Sequence, residues 1–151
     1  MDGNALRELR RSFGLTQAEV ARAAGIHQPD LSNIERGREL RPRMLDAIRD
    51  AMYSLVPPSV VLDRHREELR RVLTSMGVKN PRTFGSVLHG TDRPGSDIDI
   101  LAELPTGAGL LELAEITDAA HDVMRVPVDI LPDDPRNQHA LASARSEAVP
   151  L

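Results

Sequence analysis

Cysteine and tryptophan are absent from this chain of 151 residues, and its only aromatic side chains are Phe13, Tyr53 and Phe84. Without cysteine there are no disulfides and no thiolate metal sites, and a cytoplasmic location is the default expectation. With so few rings, the cores must be built from Leu, Ile, Val, Met and Ala. The same scarcity argues against an aromatic platform for stacking single-stranded nucleic acid.

Long apolar runs are also missing. No segment approaches the length of a membrane span, and charged side chains within residues 7–11 interrupt any signal-peptide core, so we expect no contact with a membrane. The net charge of −4 is unevenly distributed. Residues 1–55 hold nine arginines against eight acids, whereas residues 56–151 hold ten basic and fifteen acidic side chains. The first third can therefore bind DNA if its arginines cluster, but the acidic remainder argues against a nucleic-acid groove there.

Adjacent prolines within residues 53–59 indicate a boundary, because paired prolines end helices and favour extended chain. We predict a first domain over 1–55, a linker over 56–60 and a second domain over 61–151. The expected fold class is α+β. An all-α bundle forms the first domain, and a small mixed-sheet α/β unit forms the second.

Hydrophobic spacing and breaker residues predict the individual elements. In the first domain, one helix ends at Gly14, and a second begins at a Thr16 cap, has Glu19 completing a capping box, and ends at Gly25. Further helices are predicted over 28–36, 43–52, 61–76, 110–124 and 137–148, and strands over 78–84, 96–103 and 126–131.

The most informative pattern is Gly85-Ser86 followed, after ten intervening residues, by Asp97-Ile98-Asp99. Strand alternation would place both carboxylates on one face and Ile98 on the other. Mg²⁺ usually takes one or two carboxylates plus substrate phosphates, and like charges this close destabilise a strand unless a cation bridges them. The pattern therefore suits magnesium-dependent chemistry on a nucleotide. A solvated acidic edge strand is the alternative.

A family resemblance extends this interpretation. Four segments resemble the DNA polymerase β-like nucleotidyltransferase superfamily: Phe84-Gly85-Ser86, Gly90, Ser96-Asp97-Ile98-Asp99-Ile100 and Val128-Asp129-Ile130-Leu131. The shortness of the second domain points to the minimal branch of that superfamily. The resemblance implies that Asp97, Asp99 and Asp129 are catalytic and hold Mg²⁺, with the third also able to activate the acceptor hydroxyl. It implies nucleotide binding by Gly85, Ser86, Arg93 and Ser96. Alone, Asp129 would more often be an ordinary acid at the end of a strand.

One departure from the family pattern lies just after the Gly-Ser turn. Minimal members often carry arginines there, whereas this chain has Val87-Leu88-His89. We expect His89 to be a polar loop residue and not a ligand. Arg93 and Arg82 are then the nearest cations that could neutralise phosphate charge.

The first domain resembles another family. Two short helices joined by a tight turn at Gly25-Ile26 match the helix-turn-helix plan, and segments 15–21 and 25–37 resemble the phage-repressor-like (XRE) family. The resemblance implies base contacts for Gln28, Ser32 and Asn33, and phosphate contacts for Gln17 and Arg36. Asp30 should face away from phosphate or accept from a cytosine amino group. The alternative is a small helical bundle that binds protein.

Together the two domains resemble the antitoxin of HEPN/MNT toxin–antitoxin pairs. That resemblance implies transfer of AMP from ATP to a tyrosine of a HEPN-type toxin, with Mg²⁺ as cofactor, and repression of the shared operon through operator DNA. One alternative is a transcription regulator whose nucleotidyltransferase-like domain only binds nucleotide or a partner, which the three intact aspartates disfavour. A small-molecule nucleotidyltransferase of the antibiotic-resistance type is disfavoured because no acceptor-binding segment is recognisable. The oligomeric state, a homo-oligomer included, stays open.

Overall fold

The computed structural model describes residues 2–151, with the backbone alone for residues 137, 138 and 140. The chain divides into two compact units, Met1–Val56 and Pro57–Leu151. Among the described residues, every helix is too short or too polar to cross a membrane.

The first unit is a bundle of four helices, α1 (Gly3–Ser12), α2 (Gln17–Ala23), α3 (Gln28–Glu35) and α4 (Pro42–Tyr53). Its core is made of aliphatic side chains and methionine at helical spacing, among them Leu6, Leu9, Val20, Leu31, Ile34, Ile48 and Met52. The capping box predicted at the start of α2 is present. Thr16 Oγ1 accepts from the Glu19 N–H, and Glu19 Oε2 accepts from the Thr16 N–H.

A buried ion pair connects α1 to α3. Arg10 Nε and Nη2 donate to the two carboxylate oxygens of Glu35 at 2.6 and 2.9 Å, and Arg10 Nη1 donates to the Leu15 carbonyl oxygen. Both partners are buried. Burial raises the pKa of Glu35, but hydrogen bonds from Arg10 and Gln17 outweigh it, so the pKa lies below its ordinary value of 4.5. Glu35 is therefore an ionised carboxylate at neutral pH.

Replacement of Glu35 by Ala leaves the Arg10 guanidinium buried without its counter-ion, so the unfolding free energy of the first unit should fall by about 3–5 kcal/mol at neutral pH. Because the folded-state pKa of Glu35 is lowered, its contribution is fully present above 4.5 and is lost as the pH falls through the folded-state value. Thermal unfolding followed by circular dichroism at neutral and acidic pH measures both effects. Glu39→Ala, at an exposed position, is the matched control, and equal stability of the two variants at neutral pH would contradict the prediction.

The second unit surrounds a four-stranded mixed sheet. Its elements in chain order are α5 (Pro58–Ser75), β1 (Lys79–Phe84), α6 (Ser86–His89), β2 (Ile98–Glu103), α7 (Leu110–Met124), β3 (Val128–Pro132), a 3₁₀ turn (Pro135–Asn137), α8 (Gln138–Glu147) and β4 (Val149–Pro150). The strand order is β3-β2-β1-β4, with β2 and β3 parallel and the other two pairs antiparallel. An all-helical unit followed by a mixed α/β unit agrees with the fold class expected from the sequence.

The central strand β2 explains how the sheet divides its residues between core and site. Successive side chains point to opposite faces, so Ile98 and Ile100 share one face while Asp99 and Leu101 share the other. Both isoleucines are fully buried. On the other face, Leu101 packs in a cluster with Leu141 of α8. The face that carries Asp99 is therefore the face that α8 covers.

Several predicted boundaries differ from the structure. An extended linker is predicted over 56–60, but α5 begins at Pro58, directly after the extended residue Pro57. Proline, which has no N–H, is tolerated in a first turn because an N–H there would have no helical partner. Strand β2 begins at Ile98, so Asp97 lies just before the strand. Helix α6 and strand β4 are not predicted: α6 is a single turn, and β4 is two residues that pair with β1.

Candidate functional site

Three carboxylates meet at one end of the sheet. Strands β2 and β3 are parallel and pair Asp99 with Asp129, so both residues occupy the same face side by side. One carboxylate oxygen from each of Asp97, Asp99 and Asp129 lies within 4.8 Å of the others. Burial raises the pKa of Asp99, and the nearby carboxylates of Asp97, Asp129 and Glu147 raise it further. An oxygen-binding divalent cation would relieve this repulsion, so the three predicted ligands form a set that fits Mg²⁺.

Gly85 brings the turn between β1 and α6 against this acidic cluster. Its φ of +73° lies in a region that L side chains rarely adopt. A Cβ at this position would lie 2.5 Å from Asp99 Oδ2, so a side chain would collide with a predicted metal ligand. Ser86 follows as the first residue of α6. Glycine thus allows the backbone of the turn to lie directly beside Asp99.

The loop that leads into β2 contains the other two predicted nucleotide-binding residues, Arg93 and Ser96. They close a turn, because the Ser96 N–H donates to the Arg93 carbonyl oxygen at 2.9 Å and the Arg93 N–H donates to Ser96 Oγ at 3.1 Å. Pro94 and Gly95 form the corner, and Gly95 has a φ of +90°. The hydrogen bonds of Ser96 therefore set the path of the backbone that leads into Asp97. The Arg93 side chain is exposed in the same turn.

Arg82 does not lie at this end of the sheet, although the sequence indicates it as a nearby cation. Its guanidinium pairs with Asp133, which also pairs with Arg145. Asp133 directly follows β3, whereas Asp129 is near the start of that strand. A cavity of about 730 Å³ lies at this opposite end and is lined by Arg82, Asp133 and Arg145 among others. Of the two predicted cations, only Arg93 is on the loop beside the acidic cluster.

His89, expected to be a polar loop residue, is the last residue of α6 and pairs with Glu147. The Glu147 carboxylate ends α8, where it accepts from His89 Nε2 at 2.7 Å and from the Gly85 N–H at 3.3 Å. The hydrogen bond from His89 lowers the pKa of Glu147, so the group is ionised at neutral pH. No local pattern could have indicated Glu147, because 62 positions separate it from Gly85.

In the first unit, hydrogen bonds join four of the five predicted DNA-contacting residues into two pairs. Gln17 Nε2 donates to Glu35 at 2.9 Å, and Gln28 Nε2 donates to Gln17 Oε1 at 2.9 Å. Arg36 Nη2 donates to Ser32 Oγ at 2.8 Å. The buried carboxylate of Glu35 therefore orients both glutamine amides on α2 and α3.

A basic cleft lies beside these residues. It has a volume of about 650 Å³, and its lining includes Arg7, Arg11, Gln17, Gln28, Ser32 and Arg36. Arg7 and Arg11 come from α1 and were not among the predicted contacts, although their charges on one short helix are a signal in the sequence. Asn33 is exposed on α3. Asp30 pairs with Arg38 at 3.0 Å, which offsets the negative charge that would repel phosphate.

Comparisons with known proteins agree with this division into two units. Residues 6–52 match a helix-turn-helix family, and residues 62–149 match the nucleotidyltransferase domain. The protein adenylyltransferase MntA of Thermococcus cleftensis is 30% identical over 81 residues, which cover 54% of this chain and 79% of the relative. A Methanocaldococcus jannaschii protein named as a protein adenylyltransferase is 29% identical over 84 residues, which cover 56% of this chain and 94% of the relative.

A solved structure of a minimal nucleotidyltransferase has a TM-score of 0.53 and 31% sequence identity to this chain, covering 62% of this chain and 95% of that one. The nucleotidyltransferase match covers the residues that carry the acidic cluster and the Gly85 turn. The chain therefore belongs to the nucleotidyltransferase family, in its minimal form, and carries an XRE-type helix-turn-helix domain ahead of the transferase domain.

Proposed function

We propose that the chain is a Mg²⁺-dependent enzyme that transfers AMP from ATP to a HEPN-type toxin, and that its first unit represses the shared operon. The observation that carries the transferase proposal is the meeting of three carboxylate oxygens within 4.8 Å, beside a turn whose positive φ and close approach to Asp99 favour glycine. The relatives' names, protein adenylyltransferase, support AMP as the transferred group and a protein as its acceptor.

Each group at the site has a proposed part in the transfer. Asp97, Asp99 and Asp129 hold Mg²⁺, which would supply charge neutralisation for the triphosphate and a lower pKa for the acceptor hydroxyl. The turn at Gly85 and the Arg93 side chain position the phosphates. The acceptor oxygen then forms a bond to the α-phosphorus while the bond to pyrophosphate breaks, and the hydroxyl proton passes to the Asp129 carboxylate. Positioning and electrostatics provide most of the acceleration in such reactions.

The residues around the acidic cluster also favour a protein as the acceptor. Among the described residues, the groups beside the acidic cluster are those that suit a metal and phosphates. A docked partner would provide the orientation of its own hydroxyl, which normally supplies several kcal/mol of barrier reduction. Covalent gain of an AMP group by the partner, measured as intact mass, tests the transfer.

The DNA-binding part of the proposal rests on the basic cleft and on the connected side chains of α2 and α3. Gln28 and Ser32 line the cleft, and Asn33 is exposed on the same helix. Amides can read adenine edges in the major groove, while arginines neutralise phosphates. We therefore infer that α3 reads the operator and that Gln17 and Arg36 hold the backbone.

Base-contact and phosphate-contact variants should behave differently. Gln28→Ala and Asn33→Ala should each lose roughly 1–3 kcal/mol of discrimination between operator and scrambled DNA. Arg36→Ala should instead weaken binding to both sequences and flatten the salt dependence. Fluorescence anisotropy over a series of salt concentrations measures all three. Arg66→Ala, in the second unit, is the charge-matched control, and an absence of binding to the chain's own promoter at low salt would end the repressor proposal.

A further inference from the structure

The Glu147 carboxylate accepts hydrogen bonds from two donors at the edge of the candidate active site. The Gly85 N–H donates to Oε1 at 3.3 Å, and the His89 ring donates to Oε2 at 2.7 Å. The donor direction is fixed, since an ionised carboxylate can only accept. Glu147 also lies close enough to Asp99 to contribute to its raised pKa. A fourth carboxylate thus lies beside the three proposed metal ligands and holds the backbone of the turn.

A nucleotide phosphate at the acidic cluster would need the same two hydrogen-bond donors as Glu147. A phosphate oxygen that shared a cation with Asp99 would come near the Gly85 backbone, because a Cβ at Gly85 would lie only 2.5 Å from Asp99 Oδ2. Phosphate and carboxylate both accept charge-assisted hydrogen bonds, so both compete for the Gly85 N–H and the His89 ring. Two anions cannot occupy these donors together without strong repulsion.

We propose that Glu147 is an internal competitor of the nucleotide's phosphate groups, and that it sets the affinity of the site for nucleoside triphosphates. This inference rests on the proposed nucleotidyl transfer. Binding exchanges one anion for another: a phosphate oxygen accepts from Gly85 and His89, and the Glu147 side chain turns into solvent. The His89 ring then donates to the phosphate in the segment that follows the Gly-Ser turn.

The position of Glu147 makes this exchange easy. Its side chain is 29% exposed and that of His89 is 54% exposed, so release into water requires no rearrangement of the core. Glu147 is also the last residue of α8. If Glu147 were instead a metal ligand, its removal would weaken nucleotide binding. The competitor and the ligand therefore predict opposite signs for the same substitution.

Titration of Mg·ATP into the full chain distinguishes these signs. Glu147→Ala should lower the Kd about five- to tenfold, the factor expected when the competent form is roughly a tenth to a fifth of the population. Glu147→Gln keeps an acceptor oxygen without the charge and should give a smaller gain. Mg·tripolyphosphate should show the same gain as Mg·ATP, whereas adenosine should show none because it has no phosphate.

Two further variants make the test specific. Glu68→Ala removes a glutamate that also pairs with a histidine, His65 at 3.4 Å, on the surface of α5, and it should leave the Kd unchanged. His89→Ala should weaken Mg·ATP binding more in the Glu147→Ala background than in the wild type, because in the wild type it also weakens the competitor.

Failure of this inference and failure of the proposed function are separable. A wild-type chain that binds Mg·ATP, with an unchanged or higher Kd for Glu147→Ala, overturns the competitor and leaves the transferase proposal standing. An absence of Mg·ATP binding by every one of these chains overturns both proposals.

Discussion

Replacement of Asp99 by Ala should lower nucleotide transfer by about a hundredfold or more while leaving the second unit folded. One oxygen of Asp99 lies within 4.8 Å of an oxygen of each of the two other carboxylates, and Gly85 lies close against it, so its loss removes a proposed metal ligand. Asp97→Ala should have a similar effect, because it removes a ligand just before β2. Transfer of labelled AMP to the partner in the presence of Mg²⁺ measures both losses.

Neither substitution should lower the stability of the folded second unit. Removal of one carboxylate relieves the like-charge repulsion that raises the pKa of Asp99, so the thermal stability without Mg²⁺ should stay equal or rise. Asp118→Ala on α7 removes the same charge from an exposed position and should retain wild-type transfer. Wild-type transfer by Asp97→Ala or Asp99→Ala would show that the metal site is assigned to the wrong residues.

The sequence predicts well those features that neighbouring residues determine. Thr16 and Glu19 are three positions apart on one helix, and the capping box between them is complete in the structure. Both family resemblances are confirmed by the matches over residues 6–52 and 62–149, because each depends on short motifs with fixed spacing.

Features that depend on distant pairing are not predicted. Strand β4 has two residues and exists because it pairs with Arg82 and Thr83, which precede it by more than sixty positions. The role of Glu147 depends on α8 packing over the face that carries Asp99, and no periodicity in the sequence indicates which face a helix covers. Pro58 illustrates a different limit, since the same residue can end one helix or begin the next.

The position of the cavity in the second unit favours a protein as the acceptor of the nucleotide. A cavity lined by Arg82 and Asp133 lies at the far end of the strands from Asp129, so it cannot orient an acceptor hydroxyl toward the acidic cluster. Orientation of a reacting group contributes several kcal/mol to a barrier reduction. A partner protein that docks over the cluster would contribute that orientation from its own surface.

The partner should therefore gain the mass of an AMP group only when ATP, Mg²⁺ and this chain are all present. Asp129→Asn should still bind the partner but lose most of the transfer, because an amide is neither a base nor an anionic ligand, although it keeps the shape of the side chain. Intact-mass spectrometry of the partner encoded in the same operon, co-expressed with this chain and assayed with and without Mg²⁺, measures the modification. Co-purification measures the binding. Asp122→Asn, an exposed aspartate on α7, is the matched control and should modify the partner fully. If the partner stays unmodified although the chain binds and neutralises it, the second unit acts by binding alone, and the acidic cluster is not used for transfer.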